Sequence, residues 1–126
     1  MARRALGEGP IAGTLGPDGR PLAALVLMTE PAVPGVTVDA RPVAMLHLEI
    51  DGVRRNELVC VTVGERDLSA LGDLADPASN EPLCEAVHRL HPNHRCVVHG
   101  GQDLAHAENA LDAGRRDFRS LSGAPS

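Results

Sequence analysis

From Val43 to Ile50 the side chains alternate, with Val43, Met45, His47 and Glu49 on one side and Ala44, Leu46, Leu48 and Ile50 on the other. A period of two sends successive side chains to opposite faces of an extended chain, so this stretch is a strand with one fully apolar face. Asp51-Gly52 opens a hairpin loop through Asn56, and the valine-rich run Leu58 to Val63 returns beside the first strand. The apolar face then needs a second layer to cover it.

The material for that layer is narrow. Among 126 residues there is no Trp, Tyr or Lys, the only aromatic is Phe118, and all 12 basic residues are Arg. A hydrophobic share of 43% is too high for a disordered chain, so one domain with a thin core of Val, Leu, Ile, Ala and Met is expected. A net charge of -5 and the lack of a stacking platform argue against nucleic acid as a partner. The longest apolar run, Leu22 to Met28, is too short to span a membrane. No apolar stretch follows Arg3-Arg4, which argues against a signal peptide and for the cytoplasm. Cys60, Cys84 and Cys96 have neither the parity nor the spacing of a disulfide framework or zinc knuckle and are expected as buried thiols.

Residues 1–9 read as a flexible arm, 10–119 as the domain and 120–126 as a disordered tail. Strands are expected at Leu22–Met28, Val36–Val38, Val43–Ile50, Leu58–Val63 and Arg95–His99. Asn80 suits the cap of a helix carrying Leu83, Val87 and Leu90 and ending at Pro92. Asp103 suits the cap of a last helix with Leu104, Ala107, Leu111 and Phe118. The fold class is α+β, a strand barrel or curled sheet with two helices packed outside.

His47 and Glu49, two apart on one strand face, are candidates for acid-base work above a floor of Met45 and Val43. A solvated strand face carries such residues equally well. His88, His91 and His94 have a spacing that could interest a transition metal, but Pro92 ends the helix between them and no metal site is expected. Gly13, Gly16 and Gly19 precede a strand and therefore form no phosphate loop.

The run Gly13 to Leu27, with Asp18-Gly19-Arg20-Pro21-Leu22-Ala23 at its centre, resembles the soluble (family I) inorganic pyrophosphatases, whose signature there is Asp-Gly-Asp-Pro-Leu-Asp. The likeness continues through Glu30-Pro31, Pro34-Gly35, Arg41 to Leu46, Leu58 to Val61 and Val97 to Gly100, covering roughly residues 9 to 118 in one order. It implies a small, partly open, OB-like five-stranded barrel and Mg²⁺-dependent hydrolysis of diphosphate, with clustered carboxylates holding the metal. Position by position, Asp18 keeps the first signature acid, while Arg20 and Ala23 replace the other two. In the hairpin Asp51 remains, Arg55 stands for an Asp and Glu57 for a Lys. Glu8 stands for a Tyr. The family's N-terminal strands would precede the matching region.

Three functions follow as expectations. The main one is a degenerate, non-hydrolytic relative whose barrel binds and transforms a small, anionic organic molecule without any metal or other cofactor, by isomerase, cyclase or dehydratase chemistry. Its catalytic residues would be His47, Glu49 and Asp51, with Asp18, Arg20, Met45 and Arg55 holding the ligand. Pairing of Arg20, Arg54 and Arg55 with Asp18, Asp51 and Glu57 on a solvated rim is the plainer account of those residues. The second is a non-catalytic interaction or regulatory subunit, and open sheet edges lead to a homo-oligomer in either case. The third, ranked lowest, is residual Mg²⁺-dependent diphosphate or phosphoester hydrolysis through Asp18 and Asp51.

Overall fold

The alternating stretch and its return form the centre of the sheet. In a computed structural model that describes residues 5–28, 33, 35–66 and 81–122, strands β3 (Ala40–Ile50) and β4 (Val53–Thr62) pair antiparallel across the Asp51-Gly52 turn. Both turn residues have positive φ, 51° and 83°, the backbone of a type I′ hairpin turn, which Asp-Gly adopts readily. The ladder slips between Pro42 and Ala44, where proline has no N–H to give.

Strand β2 (Ala23–Met28) lies parallel to β4, and β1 (Ala5–Pro10) pairs antiparallel with β2. After helix α1 (Glu81–Leu90), β5 (Cys96–Gln102) joins the other side of β3, and helix α2 (Leu104–Ser122) ends the described chain. The order is β1-β2-β4-β3-β5, a mixed five-stranded sheet that is not closed, with two helices. The expected α+β class and partly open sheet are what the chain forms.

Three boundaries differ from expectation. Ala5 to Gly9, expected in a loose arm, belong to β1. The segment has little strand propensity of its own and is held by its ladder to β2, along which Gly7 leaves room for Met28: a Cβ there would lie 2.7 Å from Met28 Cε. Val36-Thr37-Val38, expected as a strand, is irregular, and β1 takes the place beside β2. Ser120 to Ser122 continue α2 rather than fraying. Asn80 lies outside the described residues.

The sheet buries both faces. Under α1, Leu83 and Val87 pack on Leu25, Leu46, Leu48, Ile50, Val59 and Val61, and under α2, Ala107 and Leu111 pack on Ala24, Met45, Leu58 and Cys60. Asp103 caps α2 through Oδ1, which accepts the His106 N–H at 3.2 Å. Leu104 and Phe118, expected on the buried stripe, are exposed. Cys60 and Cys96 are buried free thiols and Cys84 is half-buried; burial pushes Cys60 up to about 11.

Candidate functional site

Alternation along β4 puts Arg55, Glu57, Val59 and Val61 on the α1 face. Glu57 therefore points into the core, between Ala23 of β2 and Leu46 of β3. It exposes 0% of its surface, and neither carboxyl oxygen has a hydrogen-bond partner. From β1, Glu8 reaches the same face, since its register partner Leu25 pairs in turn with Val59. The two carboxyls face one another, close enough for one proton to be shared between them. Burial first, and then the Glu8 carboxyl, push Glu57 up to about 8, while the Arg55 guanidinium pulls the other way.

The chain leaving α1 folds over this corner. His91 Nε2 meets Glu8 Oε2 at 3.2 Å, and His94 Nδ1 meets Asp51 Oδ2 at 2.5 Å. The Arg95 N–H donates to Asp51 Oδ1 at 2.9 Å, and the Asp51 N–H donates to the Arg95 carbonyl at 2.9 Å. The segment from His91 to Arg95 thus ties the tip of the hairpin to the end of β1. The Arg95 N–H, and after it His94, hold the Asp51 carboxyl below the usual carboxylate range. The two acids are driven in opposite directions, Asp51 at the hairpin tip toward the anion and Glu57 in the core toward the protonated form.

His47, Glu49 and Met45 lie on the opposite, α2 face. Both His47 ring nitrogens are engaged, Nδ1 by Asn56 Oδ1 at 2.7 Å and Nε2 by Gln102 Oε1 at 2.9 Å. Glu49 Oε1 faces His99 Nε2 at 3.5 Å. A register shift in β5 between the partners of His47 and Leu48 leaves His99 unpaired, and Gly100 beside it takes φ 141°. Met45 is buried in the core beneath α2.

Asp18 and Arg20 occupy the loop between β1 and β2, where Asp18 Oδ1 accepts the Arg20 N–H at 3.0 Å. Thr14 braces this loop from inside: its hydroxyl donates to the Ile11 carbonyl at 2.6 Å and accepts the Leu22 N–H at 3.1 Å. The loop docks on α2 through Leu15 N–H to the Gly114 carbonyl at 2.9 Å, and Leu22 Cδ1 sits 2.7 Å from where a Cβ on Gly114 would be. No ion pair joins Arg20, Arg54 or Arg55 to Asp18, Asp51 or Glu57. The sites expected from sequence are therefore distributed over three places: Asp51 and Arg55 on the α1 side, His47, Glu49 and Met45 on the α2 side, and Asp18 and Arg20 on the loop. Glu8, Glu57, His91 and His94 were not expected as functional. Glu57 carried the one visible signal, an acid at the point where β4 turns from polar to apolar.

Among the described residues no three His, Cys, Asp or Glu side chains converge on a metal position. The signature loop keeps one carboxylate, Asp18, beside Arg20 and Ala23. On the α1 side the donors are different, since the buried, unpartnered oxygens of Glu57 and the neighbouring Glu8 carboxylate are hard oxygen donors of the kind that Mg²⁺ takes. The residues present thus fit the ion there.

A profile of the inorganic pyrophosphatase family matches residues 8–113. An inorganic pyrophosphatase of Aeropyrum pernix is 30% identical over 123 residues, covering 92% of this chain and 68% of that protein. One of Methanosarcina mazei is 52% identical over 48 residues, a stretch spanning 38% of this chain and 28% of the relative. Among solved structures, the inorganic pyrophosphatase of Thermus thermophilus superposes with a TM-score of 0.67 at 25% identity, over 89% of this chain and 68% of that one. No helix among the described residues is long and apolar enough to cross a membrane.

These matches correct three expectations. A non-hydrolytic barrel repurposed for a small organic molecule is overturned, because the family profile and the named relatives all point to diphosphate hydrolysis. The judgement that pyrophosphatase activity is improbable is overturned with it. So is the expectation of chemistry without a cofactor, since the family's reaction uses Mg²⁺. With the family profile matching residues 8–113 and a relative 30% identical of which 68% is covered, the chain belongs to the inorganic pyrophosphatase family.

Proposed function

We propose that the protein hydrolyses inorganic diphosphate with Mg²⁺ as its cofactor. The observation that carries this is the family match over residues 8–113 in a single order, and the groups gathered on the α1 side of the sheet support it. Arg55 is exposed on that face beside Glu57, where a guanidinium suits bidentate contact with phosphoryl oxygens. Arg20, in the loop beside Asp18, offers a second such group. Asp51, held ionised by the Arg95 N–H and His94, is a fixed anion at the hairpin tip. Bound Mg²⁺ supplies charge neutralisation on the diphosphate and activation of water. In the reaction the oxygen of water bonds to one phosphorus, the bridging P–O bond breaks, and the two protons of the water end on the two phosphates.

Phosphate release from diphosphate at millimolar Mg²⁺ tests this. Wild-type protein should turn over and lose activity in a chelator, and Arg55→Ala should lower kcat/KM by about tenfold or more, the scale of one charged contact made to the reacting group. A phosphomonoester assayed alongside separates diphosphate hydrolysis from general phosphoester hydrolysis. Absence of phosphate release from diphosphate with Mg²⁺ would overturn the proposal.

A further inference from the structure

We propose that the outer side of α2 holds a second anion site, which takes a phosphorylated molecule with a hydroxyl- or amine-bearing head, the chemistry of a nucleoside polyphosphate. An open cavity of about 660 Å³ lies against this helix, lined by Asn109, Asp112, Arg115, Arg116 and Arg119. Its volume falls within the range of small-molecule sites, roughly 300–1,000 Å³. All five side chains are exposed and stand outside the buried stripe of Ala107, Leu111 and Gly114. Arg55 and the other groups of the α1 side lie across the sheet from them.

Charge selects the ligand. Helix α2 carries three arginines and three acids, Glu108, Asp112 and Asp117, whose charges cancel along its length. The cavity gathers all three arginines but only one of the acids, Asp112, in a chain whose net charge is -5. The helix dipole does not account for Arg115 and Arg116, because its pull is confined to the last turn and both stand more than a turn before Ser122. Neither forms an ion pair with another described residue, so both keep their donors for a ligand. Residues three and four apart on a helix are neighbours, so the guanidiniums of 115, 116 and 119 can share successive phosphates through bidentate contacts. Toward the other end of the cavity, the Asp112 carboxylate repels phosphate and accepts from a hydroxyl or amine, while the Asn109 amide both donates and accepts. From Asn109 to Arg119 the helix rises about 15 Å, room for a phosphate chain and a head. The wall is fixed in advance: the buried Gly114 accepts the Leu15 N–H at 2.9 Å and packs on Leu22, which anchors the turn bearing Arg115 and Arg116 and lowers the cost of ordering it.

This site stands apart from the hydrolase proposal, and heat of binding, not turnover, tests it. The whole 126-residue chain is titrated by calorimetry with ATP, tripolyphosphate and adenosine in a chelating buffer, where metal-dependent hydrolysis of the probe does not run. Wild type should bind ATP, bind tripolyphosphate more weakly and bind no adenosine. Arg115→Ala and Arg116→Ala should each weaken both phosphate probes by roughly five- to tenfold, the scale of one exposed charged contact. Asn109→Ala should weaken ATP alone, and Arg55→Ala should change neither. All four positions are exposed, and thermal melts check that the variants fold. The proposal is overturned if wild type binds no ATP, if both α2 arginine variants bind ATP as wild type does, or if Arg55→Ala alone loses it, which would put the probe at the groups assigned to diphosphate. Tripolyphosphate bound as tightly as ATP would overturn the assignment of a head group to Asn109 and Asp112.

Discussion

Replacing Glu57 by Gln should stabilise the protein, and by an amount that depends on pH. The folded-state acid sits at about 8 against an ordinary value of 4.5. Well below 4.5 both folded and unfolded chains hold the proton, so the acid makes no difference to stability there. As pH rises the unfolded chain releases the proton first, and the folded state loses ground at up to about 1.4 kcal/mol per pH unit until its own acid ionises near 8. The accumulated loss is about 3 kcal/mol by pH 7 and about 5 kcal/mol by pH 9. For a domain whose whole stability is of order 5–15 kcal/mol, that is a large share. Glutamine keeps the shape of the protonated acid and cannot ionise. Urea unfolding in a chelating buffer, at several pH values from about 4 to 9, should therefore give matched midpoints in acid and a gap that widens in favour of Glu57→Gln up to pH 8 and then stays level. Groups common to both proteins cancel in the difference. Parallel stability curves for the two proteins across this range would refute the premise that Glu57 is buried and protonated.

Two further outcomes are expected. Thr14→Val keeps the side chain's shape but removes the hydroxyl that satisfies both the Ile11 carbonyl and the Leu22 N–H; since Thr14 is 2% exposed, a loss of about 1–3 kcal/mol in urea unfolding should follow, and an unchanged midpoint would show that the loop does not depend on this brace. The outer edges of β1 and β5 have no strand partner among the described residues, so association of copies through a sheet edge is proposed, and light scattering at micromolar concentration should give a mass above that of one 13.2 kDa chain. A clean monomer at that concentration would remove the proposal.

Much of the framework was legible before any coordinates. Period-two alternation over Val43 to Ile50, the Asp51-Gly52 turn and the aliphatic repeats at Leu83, Val87 and Ala107, Leu111 are local signals, because side-chain direction in strands and helices follows directly from residue spacing. They determined the central hairpin, the two helices and the class of fold. Strand β1 was not legible, since Ala-Leu-Gly-Glu-Gly-Pro has no strand preference of its own and is extended only because β2 pairs with it. Nor did spacing show that Glu49 would turn to His99, placed by an irregularity in β5, while His47 engaged Asn56 and Gln102.

The site itself is a product of tertiary structure. Glu8 and Glu57 are separated by most of two hairpins along the chain, yet one register, through Leu25 and Val59, puts both on the α1 face. His91 and His94, which in sequence offered only a metal-like spacing, became the clamps on Glu8 and Asp51 once the end of α1 crossed the sheet. Sequence alone determined the chain's family likeness and its aliphatic core, because those depend on local spacing and composition. Only the folded chain decided which acids meet and which is buried without a partner, because strand pairing sets distances between residues far apart in sequence and burial sets the cost of their charge.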